Sequence, residues 1–142
     1  MTQTHVKCQK DTSDICEEIK DLIDGSFKAF IDFEFYTLDG ENIDLDLVSR
    51  EIKQFGVILY LLEHKGIPEK SVMILDRIEK DMSRTYQKKL AEILVKLTLR
   101  LDLILVINTD SDNFISELDK FKGDALIKTY EAVENGGKYI FH

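Results

Sequence analysis

Asp32, Glu34, Asp44 and Asp46 are the residues whose types and spacing most invite chemistry in this chain. They alternate with apolar residues between Phe30 and Val48, in FIDFEFYTLDGENIDLDLV. Carboxylates gathered on one surface suit a basic protein partner or a divalent cation held between them. A second acidic set runs Asn108-Thr-Asp110-Ser-Asp112-Asn113-Phe-Ile115-Ser116-Glu-Leu-Asp119 and partly follows a calcium loop. Three residues depart from that pattern. Asn108 replaces the first Asp, Asn113 replaces the turn glycine, and Asp119 is shorter than the bidentate Glu. The competing reading is a polar helix start with Asp110 or Ser111 as its cap.

The hairpin that would carry the first set follows from alternation. Ile31, Phe33 and Phe35 alternate with Asp32, Glu34 and Tyr36; Ile43, Leu45 and Leu47 alternate with Asn42, Asp44 and Asp46. A three-residue loop ending in Gly40 pairs Phe35 with Ile43, Phe33 with Leu45 and Ile31 with Leu47. The other face then sets Glu34 opposite Asp44 and Asp32 opposite Asp46, which costs up to roughly 1 kcal/mol per pair unless something relieves it. A partner's positive surface would relieve it, with Tyr36 as an anchor. A solvated face that guards the hairpin against aggregation is the plain alternative.

Catalytic chemistry finds little support. The sequence has no glycine-rich phosphate loop, paired zinc ligands or nucleophile elbow. Glu51-Ile-Lys53 has the spacing of a nuclease acid and lysine, yet falls on a predicted helix. His64 sits in a last helical turn, where it favours the dipole. No catalytic residue, no cofactor and no enzyme activity is assigned.

The charge is distributed unevenly. The 142 residues carry a net charge of −8. Residues 1–48 hold twelve acids and four bases, whereas 49–142 hold fifteen of each. Direct nucleic-acid binding is disfavoured for the acidic third, because phosphate repels it. A basic protein surface, including that of a nucleic-acid-binding protein, is the better partner. The N-terminus is polar, and no apolar run reaches the ~20 residues that span a bilayer. Cys8 and Cys16 are too few for a disulfide framework and lack zinc spacing, and Cys16 reads as a small core residue. A cytoplasmic location without membrane contact is expected.

Residues 1–11 are expected as a flexible tail and 12–142 as one globular domain. Six helices are predicted. The first spans Ser13 to Gly25 and the second Ser49 to Lys65. The third starts at Pro68 with a Val72, Leu75, Ile78, Met82 face. The fourth starts near Ser83, with Tyr86, Leu90, Ile93, Leu97, Leu101 and Ile104 as a stripe. That stripe is either core or a homodimer seam through 86–104. Leu101 to Ile107 has a competing strand reading beside the hairpin. A fifth helix ends at Gly123, and a sixth follows Asp124. Lys138 to His142 can add a short C-terminal strand. The expected fold is therefore α+β: a mostly helical single domain of about six helices with an N-terminal β-hairpin at about 29–48. The expected function is that of a small acidic non-enzymatic inhibitor, of the immunity-protein or anti-defence kind, docking its hairpin on a basic partner. The alternative is a calcium-type divalent-cation protein using 108–119 or the hairpin carboxylates.

Overall fold

A computed structural model of the chain describes residues 12–29, 33–64, 66–125, 127–135 and 138–141. The elements are α1 (Ser13–Ile23), β1 (Gly25–Ala29), β2 (Phe33–Thr37), β3 (Asn42–Ile43), a 3-10 turn (Leu45–Leu47), α2 (Arg50–Glu63), β4 (Val72–Asp76), α3 (Arg84–Leu101), β5 (Ile104–Asn108), α4 (Asp112–Asp119), β6 (Ala132–Asn135) and β7 (Lys138–Phe141). The fold is α+β, but the described residues form four α-helices rather than six, and the hairpin is not alone.

The first correction lies at 68–82. Val72 to Asp76 is a strand, not a helix, and it pairs in parallel with β5, Val72 to Ile104 through Asp76 to Asn108. Spacings of three and four had suggested a helix there, but a short apolar run is ambiguous by periodicity alone. Tertiary pairing decides it, because β5 offers a matching run of five residues. The strand reading of Leu101–Ile107 thus holds in part, beside β4 rather than beside the hairpin. The sixth helix is also replaced. Ala132–Asn135 is a strand that pairs antiparallel with Lys138–Phe141, so the C-terminal strand is present and has its own partner.

The second correction concerns the hairpin. β2 and β3 pair at Phe35–Ile43 and Tyr36–Asn42, the register the three-residue loop predicts. The pairing stops there, because Asp44 accepts the Asp46 N–H at 3.0 Å and starts the 3-10 turn. The other edge of β2 is taken by β1, with Phe27 opposite Phe35 and Lys28 opposite Glu34. Gly25-Ser-Phe-Lys-Ala carries one large apolar side chain and gives little alternation to read.

α3 is the central helix. Ser83 caps its start by accepting the Tyr86 N–H, and Asp102, left-handed at φ 51, closes it. Leu90, Ala91, Ile93, Leu94 and Leu97 are buried at 0–1% exposure, so this part of the stripe packs into the chain's own core. It packs with Ile15 and Ile19 of α1, Phe55, Leu59 and Leu62 of α2 and Phe114 of α4 in one cluster. Cys16 is buried in the same cluster.

Two bases of α3 meet α1. Arg100 donates two hydrogen bonds to Asp14 at 3.0 and 2.9 Å, and Lys96 pairs with Glu18 at 2.5 Å. The guanidinium hydrogen bond holds the Asp14 carboxyl below its ordinary 3.8. A depressed folded pKa stabilises above the ordinary value and loses that contribution as pH falls through the lower one. Both groups are largely exposed, so Arg100→Ala should cost less than about 1 kcal/mol at neutral pH. In urea titrations the gap between variant and parent should narrow below pH 3.8. A gap that persisted in acid would mean that Arg100 acts by packing rather than by this ion pair.

Candidate functional site

The structure gathers polar groups at the carboxyl ends of β4 and β5, where open parallel sheets hold their ligands. Asp76 ends β4 and Asn108 ends β5, directly opposite. Asn108 Nδ2 donates to Asp76 Oδ1 at 2.6 Å. The backbone N–H of Arg77 donates to the Asn108 carbonyl at 2.8 Å. Arg77 has φ 48, a left-handed conformation that costs a non-glycine residue roughly 1–2 kcal/mol and turns the chain sharply out of the strand. Its side chain pairs with Asp110 at 3.4 Å.

Below this exposed pair lies a buried network. Glu79 is 1% exposed. Its Oε1 accepts the Thr109 hydroxyl, and its Oε2 has no partner among the described residues. Thr109 Oγ1 also accepts the Ser111 N–H at 3.1 Å. Ser111 Oγ and Asn113 Nδ2 both donate to Gln87 Oε1, at 3.0 and 2.8 Å. Gln87 Nε2 in turn donates to the Met82 carbonyl at 3.1 Å. The loops that follow β4 and β5 are thereby fastened together and to the first turn of α4.

The start of α2 joins the same region. Ser49 caps α2 by accepting the Ile52 N–H at 3.3 Å. Arg50 pairs with Asp81 at 2.9 Å, and Glu51 accepts the Ser83 N–H at 3.0 Å. Asp81 is itself left-handed at φ 66. Three segments distant in sequence therefore meet at one end of the β4–β5 pair.

The carboxylates singled out in the sequence are placed differently. Asp32 lies outside the described residues. Glu34 accepts the Tyr36 hydroxyl at 2.9 Å, which pushes that hydroxyl's pKa up from its usual value. Lys28 stands opposite Glu34, with its Nζ 4.3 Å from the Tyr36 ring centre. Asp44 is spent on the 3-10 turn, so neither Asp44 nor Asp46 opposes Glu34 across a ladder. Glu34, Asn42, Ile43, Asp44 and Leu45 do line one shallow depression.

The calcium-loop alternative also changes geometry. Asn108 is the last residue of β5, and Asp112 to Asp119 form α4. Asp112 and Asp119 are about 10 Å apart along the helix at 1.5 Å per residue, too far to wrap one ion. Among the described residues, no group of three or more acidic, histidine or cysteine side chains is placed to hold a metal.

Asp76, Glu79 and Thr109 escaped the sequence reading, because Asp76 and Glu79 fell on the outer side of a predicted helix. A usable signal was present: an apolar run closed by Asp, then a long helix, then a second apolar run closed by Asn. That is a strand–helix–strand unit, with both polar closures at the same end.

This strand–helix–strand core with its antiparallel sheet places the chain in a known fold class. No known family matches the sequence, and no curated protein matches it. Among solved structures, the fold is similar to one from work described as "Structural biochemistry of ATP-driven dimerization and DNA stimulated activation of SMC ATPases". The TM-score is 0.59 at 12% identity, covering 91% of this chain and 84% of that one. At that identity the likeness is one of fold. No helix of the described residues is long and apolar enough to cross a membrane.

Proposed function

We propose that this chain is one lobe of an SMC-like ATPase assembly. It would contribute Asp76 to a magnesium–nucleotide site whose phosphate loop comes from a partner lobe. The observation that carries the reading is Asp76 itself, an exposed carboxylate at the carboxyl end of a parallel strand with Val72-Met-Ile-Leu behind it. In phosphate-loop ATPases an Asp of this kind holds Mg²⁺.

The donor set fits. Mg²⁺ is usually held by one or two carboxylates, with waters and substrate phosphates completing the octahedron. A single oriented carboxylate suits an ion arriving with its nucleotide. Asn108 fixes Asp76 by one oxygen and leaves the other for the ion. When bound, the ion neutralises phosphate charge. Glu79, buried and held by Thr109, keeps the adjoining loop in shape.

Two features favour binding over hydrolysis by this chain alone. The sequence has no glycine-rich phosphate loop, and the residue after Asp76 is Arg77, whose charge is committed to Asp110. The net charge of −8 disfavours direct contact with DNA. A cytoplasmic location belongs to the same reading.

The test is paramagnetic. Mn²⁺·ATP added to the ¹⁵N-labelled protein should broaden the amides of Arg77, Asn108 and Thr109 more than equal Mn²⁺ without nucleotide. Asp76→Asn should remove the difference. Equal broadening by Mn²⁺ alone, or none near residue 76, would sink the nucleotide reading.

A second reading keeps one specific support. The surplus negative charge lies in residues 1–48. An acidic docking surface including Asp32, Glu34, Tyr36, Asp44 and Asp46 would then inhibit a basic partner protein. It predicts association that slows with salt, and slows likewise when the four acids become amides.

A further inference from the structure

The Arg77–Asp110 ion pair joins the two segments that leave the candidate site. Arg77 follows Asp76 directly, and Asp110 comes two residues after Asn108. The pair is loose. Arg100 donates two hydrogen bonds to Asp14 at 3.0 and 2.9 Å, and Arg50 reaches Asp81 at 2.9 Å. Arg77 Nη2 stands 3.4 Å from Asp110 Oδ2, beyond the roughly 2.7–2.9 Å of a charge-assisted hydrogen bond. The two side chains are 50 and 69% exposed, so water screens their attraction. The loops do not depend on this contact, because Thr109 with Glu79, and Ser111 and Asn113 with Gln87, already fasten them. The backbone beneath the guanidinium is held firmly. Arg77 keeps φ 48, an unfavourable conformation for a residue with a side chain, and its N–H donates to the Asn108 carbonyl at 2.8 Å. Its Cα therefore stays beside Asp76 while the guanidinium can change partner.

We propose that Arg77 binds the phosphate of the incoming nucleotide and that Asp110 is the latch that holds it beforehand, an inference that rests on the magnesium–nucleotide reading. Charge and geometry carry it. Asp76 ends β4, Asp112 opens α4 and Asp110 lies on the segment between β5 and α4, so a phosphate reaching the strand ends meets carboxylates. One Mg²⁺ offsets only part of a triphosphate's charge. Arg77 is the base adjoining Asp76 in the chain. A guanidinium forks onto phosphate oxygens through two parallel hydrogen bonds, a geometry that lysine lacks. Moving Arg77 from Asp110 to phosphate exchanges a screened contact for a bidentate one, and the carboxylate it leaves is already mostly in water. Until then Asp110 keeps the guanidinium from pairing with Asp76, which leaves that carboxylate for the ion. The left-handed backbone of Arg77 gains a role on this account, since such strain persists where it positions a ligand.

The experiment follows the Nε–Hε signals of the four arginines in the ¹⁵N-labelled full chain, in EDTA so that no metal takes part. ATP should move the Arg77 signal, identified by its loss in Arg77→Gln, and leave those of Arg50 and Arg100 in place. Adenosine should move none, and inorganic phosphate at equal concentration should move Arg77 less than ATP does. Arg77→Gln should weaken ATP binding by about tenfold, the scale of a hydrogen bond to a charged group. Asp110→Asn should tighten it by about two- to fivefold in the parent and clearly less in Arg77→Gln, as a non-additive pair. Equal tightening without Arg77 would show that Asp110 only repels the anion, and would overturn the latch. An unmoved Arg77 signal, equal shifts of all four arginines, a response to adenosine or an equal response to inorganic phosphate would each overturn the proposal. Both variants should melt within about 2 °C of the parent, because both side chains are exposed. A larger drop would make the pair structural and would equally overturn it. An Arg77 response in EDTA without any Mn²⁺·ATP broadening would sink the metal role of Asp76 alone, and the reverse pattern would sink this inference alone.

Discussion

Replacing Gly56 with valine is expected to cost about 3 kcal/mol or more, measured as a shift of the urea midpoint at constant slope. The sign is the informative part. Gly56 lies inside α2, and exchanging a mid-helix glycine for a residue with a side chain normally helps, by roughly 1 kcal/mol for alanine. Here a Cβ would stand 1.9 Å from Phe27 Cε2 and 2.2 Å from Cδ2. Phe27 cannot retreat easily. Its ring is 3% exposed and tilts against Phe35 at 4.9 Å between centres. Phe35 in turn covers Gly25, where a Cβ would lie 2.5 Å from Phe35 Cζ and 2.4 Å from the Tyr36 carbonyl oxygen. The two glycines are the hollows into which the antiparallel sheet is pressed. Shortening Phe27 to leucine should therefore rescue part of a Gly56→Ala loss, as a non-additive coupling in a double-mutant cycle. Stabilisation by Gly56→Ala in the parent would contradict the seating of β1 on α2.

The legible parts of the fold share a physical trait: strong local signals that tertiary structure also respects. Ser49 and Ser83 cap helices where the sequence places them. The Phe35–Ile43 register follows from Gly40, whose φ of 87 the turn needs. The misread parts are those where tertiary pairing overrides a weak local pattern. Val72 to Asp76 matches a helical stripe as well as a strand, and only β5, nearly thirty residues on, resolves it. The expected cross-strand pairing of the hairpin acids was misread for a related reason. Like charges on two strands looked unrelieved because the strand supplying Lys28 carries no alternation of its own. The candidate site was hidden by the first of these errors, since Asp76 has chemical meaning only once it ends a strand.

Phe114→Ala should release α4, and with it the loop that completes the candidate site. Phe114 is the residue of α4 buried in the core, at 0% exposure; Leu118 is only partly buried. Removing a buried phenylalanine ring costs roughly 3–5 kcal/mol. An eight-residue helix has little intrinsic stability, since isolated helices shorter than ∼12–15 residues are marginal in water. The loss should therefore appear first as local opening rather than uniform weakening. In hydrogen exchange, amides of 112–119 should lose protection well beyond any loss in α3, and the Ser111 amide should follow, because its acceptor Thr109 moves with the loop. Thr109 also holds buried Glu79, so detaching α4 should expose that carboxylate and free Arg77 from Asp110. Asp76 and Asn108 belong to the strands, and their hydrogen bond should persist. The Mn²⁺·ATP response at residue 108 would then outlast the loss of α4, while the response at Thr109 would vanish. Equal protection in α4 and α3 after the substitution would show that helix and core open as one unit, and that the ends of β4 and β5 depend on α4 for their shape.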